Sequence, residues 1–138
     1  MSNFYQNPFP NDPDRHALWE MLVERDIIAF CRQDWSLVAD DFIPTGFVGI
    51  DGRGRHNPDS WRLNFSSLEE YRDEWLRQAA GFAQTDWAED PEEAVYRTTT
   101  LRDIDIKGDK ALLHKKFDGG ILKKNGNKEI LNWQTLYR

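Results

Sequence analysis

Cysteine is nearly missing from this chain: Cys31 stands alone among 138 residues, so no disulfide can close within it. Long apolar runs are missing too, none approaching the ~20 residues of a membrane span. The opening Met-Ser-Asn-Phe-Tyr-Gln-Asn-Pro has neither the charged start nor the apolar centre of a signal peptide. Basic residues are in deficit, 18 against 24 acidic ones for a net charge of −6. They form no stripe between aromatic platforms, which argues against nucleic acid as a partner. No P-loop, nucleophile elbow, zinc-protease motif or metal-ligand spacing occurs, so neither metal nor organic cofactor is expected. Gly52-Arg53-Gly54 is too short to be a dinucleotide fingerprint. These absences describe a soluble, cytoplasmic, single-domain chain with no membrane partner, in which the sequon Asn64-Phe65-Ser66 is a chance match.

What the chain does have is rings. Aromatics make up 13% of it, including 6 Trp and 8 Phe, so rings must build the core or a cavity wall. Residues 1–12 hold Pro8 and Pro10 without periodicity and read as a flexible N-terminal arm. Asp12 as N-cap and Pro13 at the first helical position then open a long helix reaching Cys31 or Arg32. Ser36 is suited to cap a short helix through Asp40. An apolar, strand-like stretch covers 42–50, a Gly- and Arg-rich loop 51–60, and a short strand 61–65. In that loop Arg53, Arg55 and His56 form either an anion site or a solvated turn. Ser66 or Ser67 with Glu69 or Glu70 makes a capping box for a helix ending by Gly81. From Ala94 the period becomes two, and Gly108-Asp109 and Asn125-Gly126 mark the turns of three antiparallel strands.

Two places carry chemistry. On a wheel of about 100° per residue, Trp19, Leu22 and Phe30 fall within about 40° of Asp26, with Leu18, Val23 and Ala29 just outside. A carboxylate there is either tied to a nearby donor or faces a cavity as a tuned acid. Cys31, about 120° away, is a helix-flank thiol. The second place follows from two-residue turns, which pair Asp103 with His114 and His114 with Tyr137. Leu101, Leu112, Lys116, Trp133 and Thr135 then share that face, while Ile104, Ile106, Leu113, Phe117, Ile130 and Leu136 share the other. A carboxylate beside an imidazole fixes its tautomer and raises its basicity, as a general base requires. The same row on a solvated sheet face would be ordinary, and a bulge at Gly119-Gly120 would shift it by one.

The order long helix, break at Arg32-Gln33-Asp34-Trp35, short helix ending Val38-Ala39-Asp40-Asp41-Phe42, strand, capped helix and terminal meander resembles the nuclear transport factor 2-like superfamily. Within it the chain is most similar to the SnoaL-like group, over about residues 14–138. The resemblance implies an α+β fold in which a cone-shaped, curved antiparallel sheet wraps the long N-terminal helix around an apolar cavity, commonly as a homodimer through the sheet. It also implies one more strand than residues 13–138 supply, so that single SnoaL-like domain is expected to lack its final strand. Asp26 falls where ketosteroid isomerases carry an oxyanion-hole tyrosine. Their catalytic aspartate would fall near Gly46, which has no acid to offer. Members range from isomerases, cyclases and dehydratases to non-catalytic modules.

Two functions from different classes remain. One is a cofactor-independent isomerase, cyclase or dehydratase acting on a small hydrophobic molecule. In it His114 serves as acid or base, Asp103 orients it, and Asp26 and Tyr137 bind a substrate oxygen. Trp19, Leu22, Val23, Phe30, Leu112 and Trp133 would line the pocket. The other is a non-catalytic ligand-binding or assembly module in which Asp26 is structural. They separate on whether Asp26 and His114 open into one cavity.

Overall fold

The computed structural model describes residues 6–51, 56–132 and 134–138, so Arg53, Arg55 and Trp133 lie outside the described residues. The Asp12 side chain accepts from the Arg15 N–H, Pro13 takes the first position, and α1 spans Pro13–Trp19. Winding continues through a π segment, Glu20–Arg25, into α2, Asp26–Arg32. It stops at Gln33, which adopts φ 54°. There the Asp34 N–H reaches the Ala29 carbonyl and the Gln33 N–H reaches Phe30, a Schellman ending without glycine. Part of the expected arm is tied down: Asn7 Nδ2 donates to the His16 carbonyl at 2.9 Å, and His16 Nδ1 lies 3.2 Å from the Phe9 carbonyl oxygen.

Several boundaries differ from the sequence expectation for identifiable reasons. The short helix is two 3-10 turns, Trp35–Leu37 and Ala39–Asp41, and Asp34 rather than Ser36 is the cap. Its carboxylate accepts from both the Ser36 N–H and the Ser36 hydroxyl. The apolar stretch from 42 to 50 supplies only β1, Gly49–Asp51, antiparallel to β2, Arg62–Phe65. Pro44 lacks an amide proton and Gly46 sits at φ 79°, which keeps residues 44–46 out of the ladder. The capping box starts α3, Leu68–Gln84: the Glu70 N–H donates to Ser67 Oγ and the Ser66 N–H to the Glu70 carboxylate. That helix runs past Gly81, whose cost in a helix is only about 1 kcal/mol. Alternation does not begin at Ala94, because α4 occupies Pro91–Thr98. Asp90 accepts from the Glu92 and Glu93 N–H groups and Pro91 opens the helix, a start signal that outweighs the short apolar run.

Five strands follow: β3 (Thr99–Lys107), β4 (Lys110–Phe117), β5 (Gly119–Leu122), β6 (Lys128–Leu131) and β7 (Gln134–Tyr137). They form a three-stranded antiparallel sheet ordered β3-β4-β7 and a separate β5-β6 pair. The class is therefore α+β, with a long N-terminal helix and antiparallel sheets.

The chain packs as two compact units, one of residues 1–28 with 85–138 and one of residues 29–84. The second unit holds much of the aromatic content. Ala29, Val38, Trp75 and Ala79 are its buried centre, with Phe30, Trp35, Phe42, Tyr71 and Leu76 packed against them. Trp35 stacks on Phe42 at 5.4 Å and meets Trp75 edge-on at 5.3 Å, while Phe65 stands edge-on to Tyr71 at 5.5 Å. The first unit buries Trp19, Val23 and Ile27 of the helix, Val95 and Tyr96 of α4, and Leu101, Leu113, Ile121 and Leu131 of the strands.

Candidate functional site

The site in the first unit is fixed by strand register, and both expected registers shift by one residue. Lys107 pairs with Lys110 across the Gly108-Asp109 turn, as the turn requires. A bulge between Arg102 and Asp105 then intervenes, with Asp103 at φ 53°, and the partner of His114 becomes Arg102 instead of Asp103. Between β4 and β7 Leu113 faces Tyr137 and His114 faces Leu136, correcting the expected His114–Tyr137 pair. The cause lies in the turn rather than at Gly119-Gly120. The Lys123 N–H bonds the Asn127 carbonyl, leaving a three-residue loop in which Gly126 takes φ 90° and Asn125 Oδ1 accepts from the Asn127 N–H. This is the hairpin with one extra left-handed residue that Gly permits.

One residue of slip exchanges the faces. Leu101, Leu113, Lys115, Thr135 and Tyr137 now share the inner face, and His114 joins Arg102, Leu136, Lys116 and Gln134 on the outer one. Asp26 and His114 therefore lie on opposite sides of the sheet. The partner of Asp26 is Lys115, whose Nζ is 2.8 Å from Asp26 Oδ2 and whose side chain is 1% exposed, against 27% for Asp26. The ammonium also donates to the Leu22 carbonyl and faces the Phe117 ring at 5.1 Å. These contacts coincide with the π segment. The Asp26 N–H goes to the Val23 carbonyl, leaving the Leu22 carbonyl to the ammonium, and the Tyr96 hydroxyl donates to Glu24 at 3.4 Å. Side chains entering the carbonyl ladder are a recognised cause of such irregular winding.

Tyr137 completes the inner group. Burial, then the negative charge of Asp26, push its phenol above the ordinary tyrosine range, and a hydrogen bond with the Thr135 side chain offsets part of this. The hydroxyl thus stays protonated within the field of the Asp26 carboxylate.

His114 is buried although it belongs to the outer face. Arg102 Nε donates to its Nδ1 at 3.0 Å, so Nε2 carries the proton and donates to Gln134 Oε1 at 2.8 Å. Asp103 Oδ2 stands 3.8 Å from Nδ1, and its side chain is 79% exposed. Both imidazole nitrogens are thereby engaged by protein groups.

Of the expected wall residues, Trp19 and Val23 are buried in the first unit, where Trp19 meets Tyr96 at 6.4 Å, and Leu22 is half-buried. Phe30 belongs to the second unit, between Trp75 at 5.5 Å and Phe82 at 5.3 Å. Leu112 is 51% exposed and, two residues from His114 on β4, faces outward. Among the described residues of the first unit are surface depressions of about 430 and 490 Å³. One is lined by Thr85, Asp86 and Lys123 to Asn125, and the other lies between the first helical turns and the Gly108-Asp109 turn. None of the expected site residues lines either. Lys115 was missed from sequence, although its signal was present: it sits between Leu113 and Phe117 on an apolar alternation, as Asp26 sits on an apolar helix face. Opposite charges on two apolar faces predict one another.

Comparison with family models, curated proteins and solved structures gave no match to this chain. No described helix is long and apolar enough to cross a membrane.

Proposed function

We propose that this chain is a cytoplasmic, small-molecule-binding protein of the SnoaL-like kind, in which Asp26, Lys115 and Tyr137 bind an oxygen of a small hydrophobic ligand. The observation that carries this reading is a fully buried ammonium holding a partly exposed carboxylate on an apolar face. Such a pair loses so much hydration that apolar residues of equal size would serve folding as well or better, so stability alone does not account for it. A carboxylate that accepts and a phenol that donates suit a ligand carrying a hydroxyl or carbonyl oxygen, with Val23 and Trp19 among the nearby apolar side chains.

Binding is favoured over turnover by the arrangement of proton carriers. His114 lies across the sheet from Asp26, and both its nitrogens are occupied. An isomerase, cyclase or dehydratase would instead have to use Asp26 as its base, against the ammonium that holds it. Titration with phenol and with cyclohexanone, followed by backbone amide NMR, tests the reading. Saturable shifts around Asp26, Lys115 and Tyr137 are expected, and their absence with both probes would sink it.

A further inference from the structure

The outer face of the β3-β4-β7 sheet combines two features that rarely coexist without a partner. Leu112 and Leu136 are 51% and 73% exposed on it. Leu136 pairs with His114, so Leu112 is its diagonal neighbour, at the roughly 7–8 Å typical of such positions. Around them stand Arg102, Lys107, Lys110 and Lys116, while the acids are Asp103 and Asp105. Basic residues therefore outnumber acidic ones two to one here, whereas the whole chain has 18 basic and 24 acidic residues. Asp103 stands 3.9 Å from Arg102 and 3.8 Å from His114, and Asp105 faces Leu112 across the ladder, so on this face three lysines stand against two acids.

We infer that this face docks an acidic amphipathic helix of a partner protein, independently of the small-molecule site on the other side of the sheet. Leucines one turn apart on such a helix are about 5–6 Å from each other, close enough to cover Leu112 and Leu136 together, while flanking glutamates meet the lysines. Charge complementarity selects this occupant over a second copy, because a two-fold contact would set lysine-rich faces against each other. It also selects against nucleic acid, since the exposed side chains at the centre are aliphatic and offer bases nothing to stack on. An anionic bilayer would meet the same lysines, and the vesicle measurement below separates it from the helix.

The test uses a labelled helical peptide with leucines at i, i+3, i+4 and i+7 and glutamates elsewhere, alongside its twin with lysine for every glutamate, both read by fluorescence anisotropy. The glutamate peptide should bind, more weakly as salt rises, and the lysine peptide should bind at least about tenfold less well. Leu136→Ser, Leu112→Ser and Lys110→Glu, all at exposed positions, should each weaken binding about tenfold or more, while Tyr137→Phe leaves it unchanged. Equal binding of both peptides, no binding, or indifference to the three outer-face variants would overturn the inference. So would uptake by phosphatidylserine vesicles, or self-association in sedimentation that Leu136→Ser abolishes.

Discussion

Asp26 and Lys115 set the terms at the residue scale. Removing one member of a buried ion pair strands the other, so Lys115→Ala should cost about 3–5 kcal/mol in chemical denaturation. Replacing both, as Lys115→Met with Asp26→Leu, should recover most of that loss, and a double variant as unstable as the single one would refute the pairing argument. Tyr137 gives a pH test. Its phenol is raised in the folded chain, by burial first and the charge of Asp26 second, so the folded state holds that proton more tightly than the unfolded state. The stability this contributes is complete below the ordinary tyrosine value of 10 and is lost as pH rises through the higher folded value. The difference in tyrosinate absorbance between the native chain and Tyr137→Phe should therefore show this phenol ionising only as the fold is lost. Asp26 was legible from sequence because a helical face needs only the 3.6 period. Lys115 carried a signal in its place between Leu113 and Phe117, but which sheet face meets the helix depended on packing that alternation alone does not decide.

At the scale of elements, the turns determine which chemistry meets. Gly126 has φ 90° and open space where a Cβ would go, so Gly126→Ala acts through backbone strain alone. A loss of about 1–2 kcal/mol is expected, read from the denaturation midpoint at constant slope. Glu89 links α4 to the strands: it pairs with Arg97 at 2.8 Å and accepts from the Leu122 N–H at 2.9 Å. The Arg97 hydrogen bond, then that of Leu122, lower its pKa. A depressed acid stabilises the fold fully above its ordinary value of 4.5, and the contribution disappears as pH falls through the folded value. Amide exchange at Leu122, corrected for intrinsic rates, should accelerate in that acid window in the native chain and already at neutral pH in Glu89→Gln. Helix starts at Asp12 and Ser67 were readable because a cap is a local signal. The bulge at Asp103 and the three-residue loop at Gly126 were not, because an Asp in a left-handed conformation and a choice between loop lengths depend on packing around them. The helix at Pro91 carried its own cap and proline, a signal overshadowed by the alternation that follows.

Across the whole molecule, an acidic, ring-rich chain carries different side-chain chemistry on the two faces of one sheet. The inner face of the first unit holds a buried cation, a carboxylate and a neutral phenol among apolar residues. Its outer face holds leucines among lysines. Half of the aromatic residues that suggested a cavity wall belong to the second unit, around Trp35, Tyr71 and Trp75. The α+β class and the long helix were legible, since they rest on periodicity and caps. The division into faces was not, since each one-residue slip inverts it. The most direct measurement of the central claim follows the Asp26 side-chain carboxyl carbon by NMR during titration with phenol and cyclohexanone, in the native chain and in Tyr137→Phe. A saturable shift in the native chain, with cyclohexanone binding weakened about tenfold in Tyr137→Phe, is the predicted result; a carboxyl signal that stays fixed with both probes would contradict it.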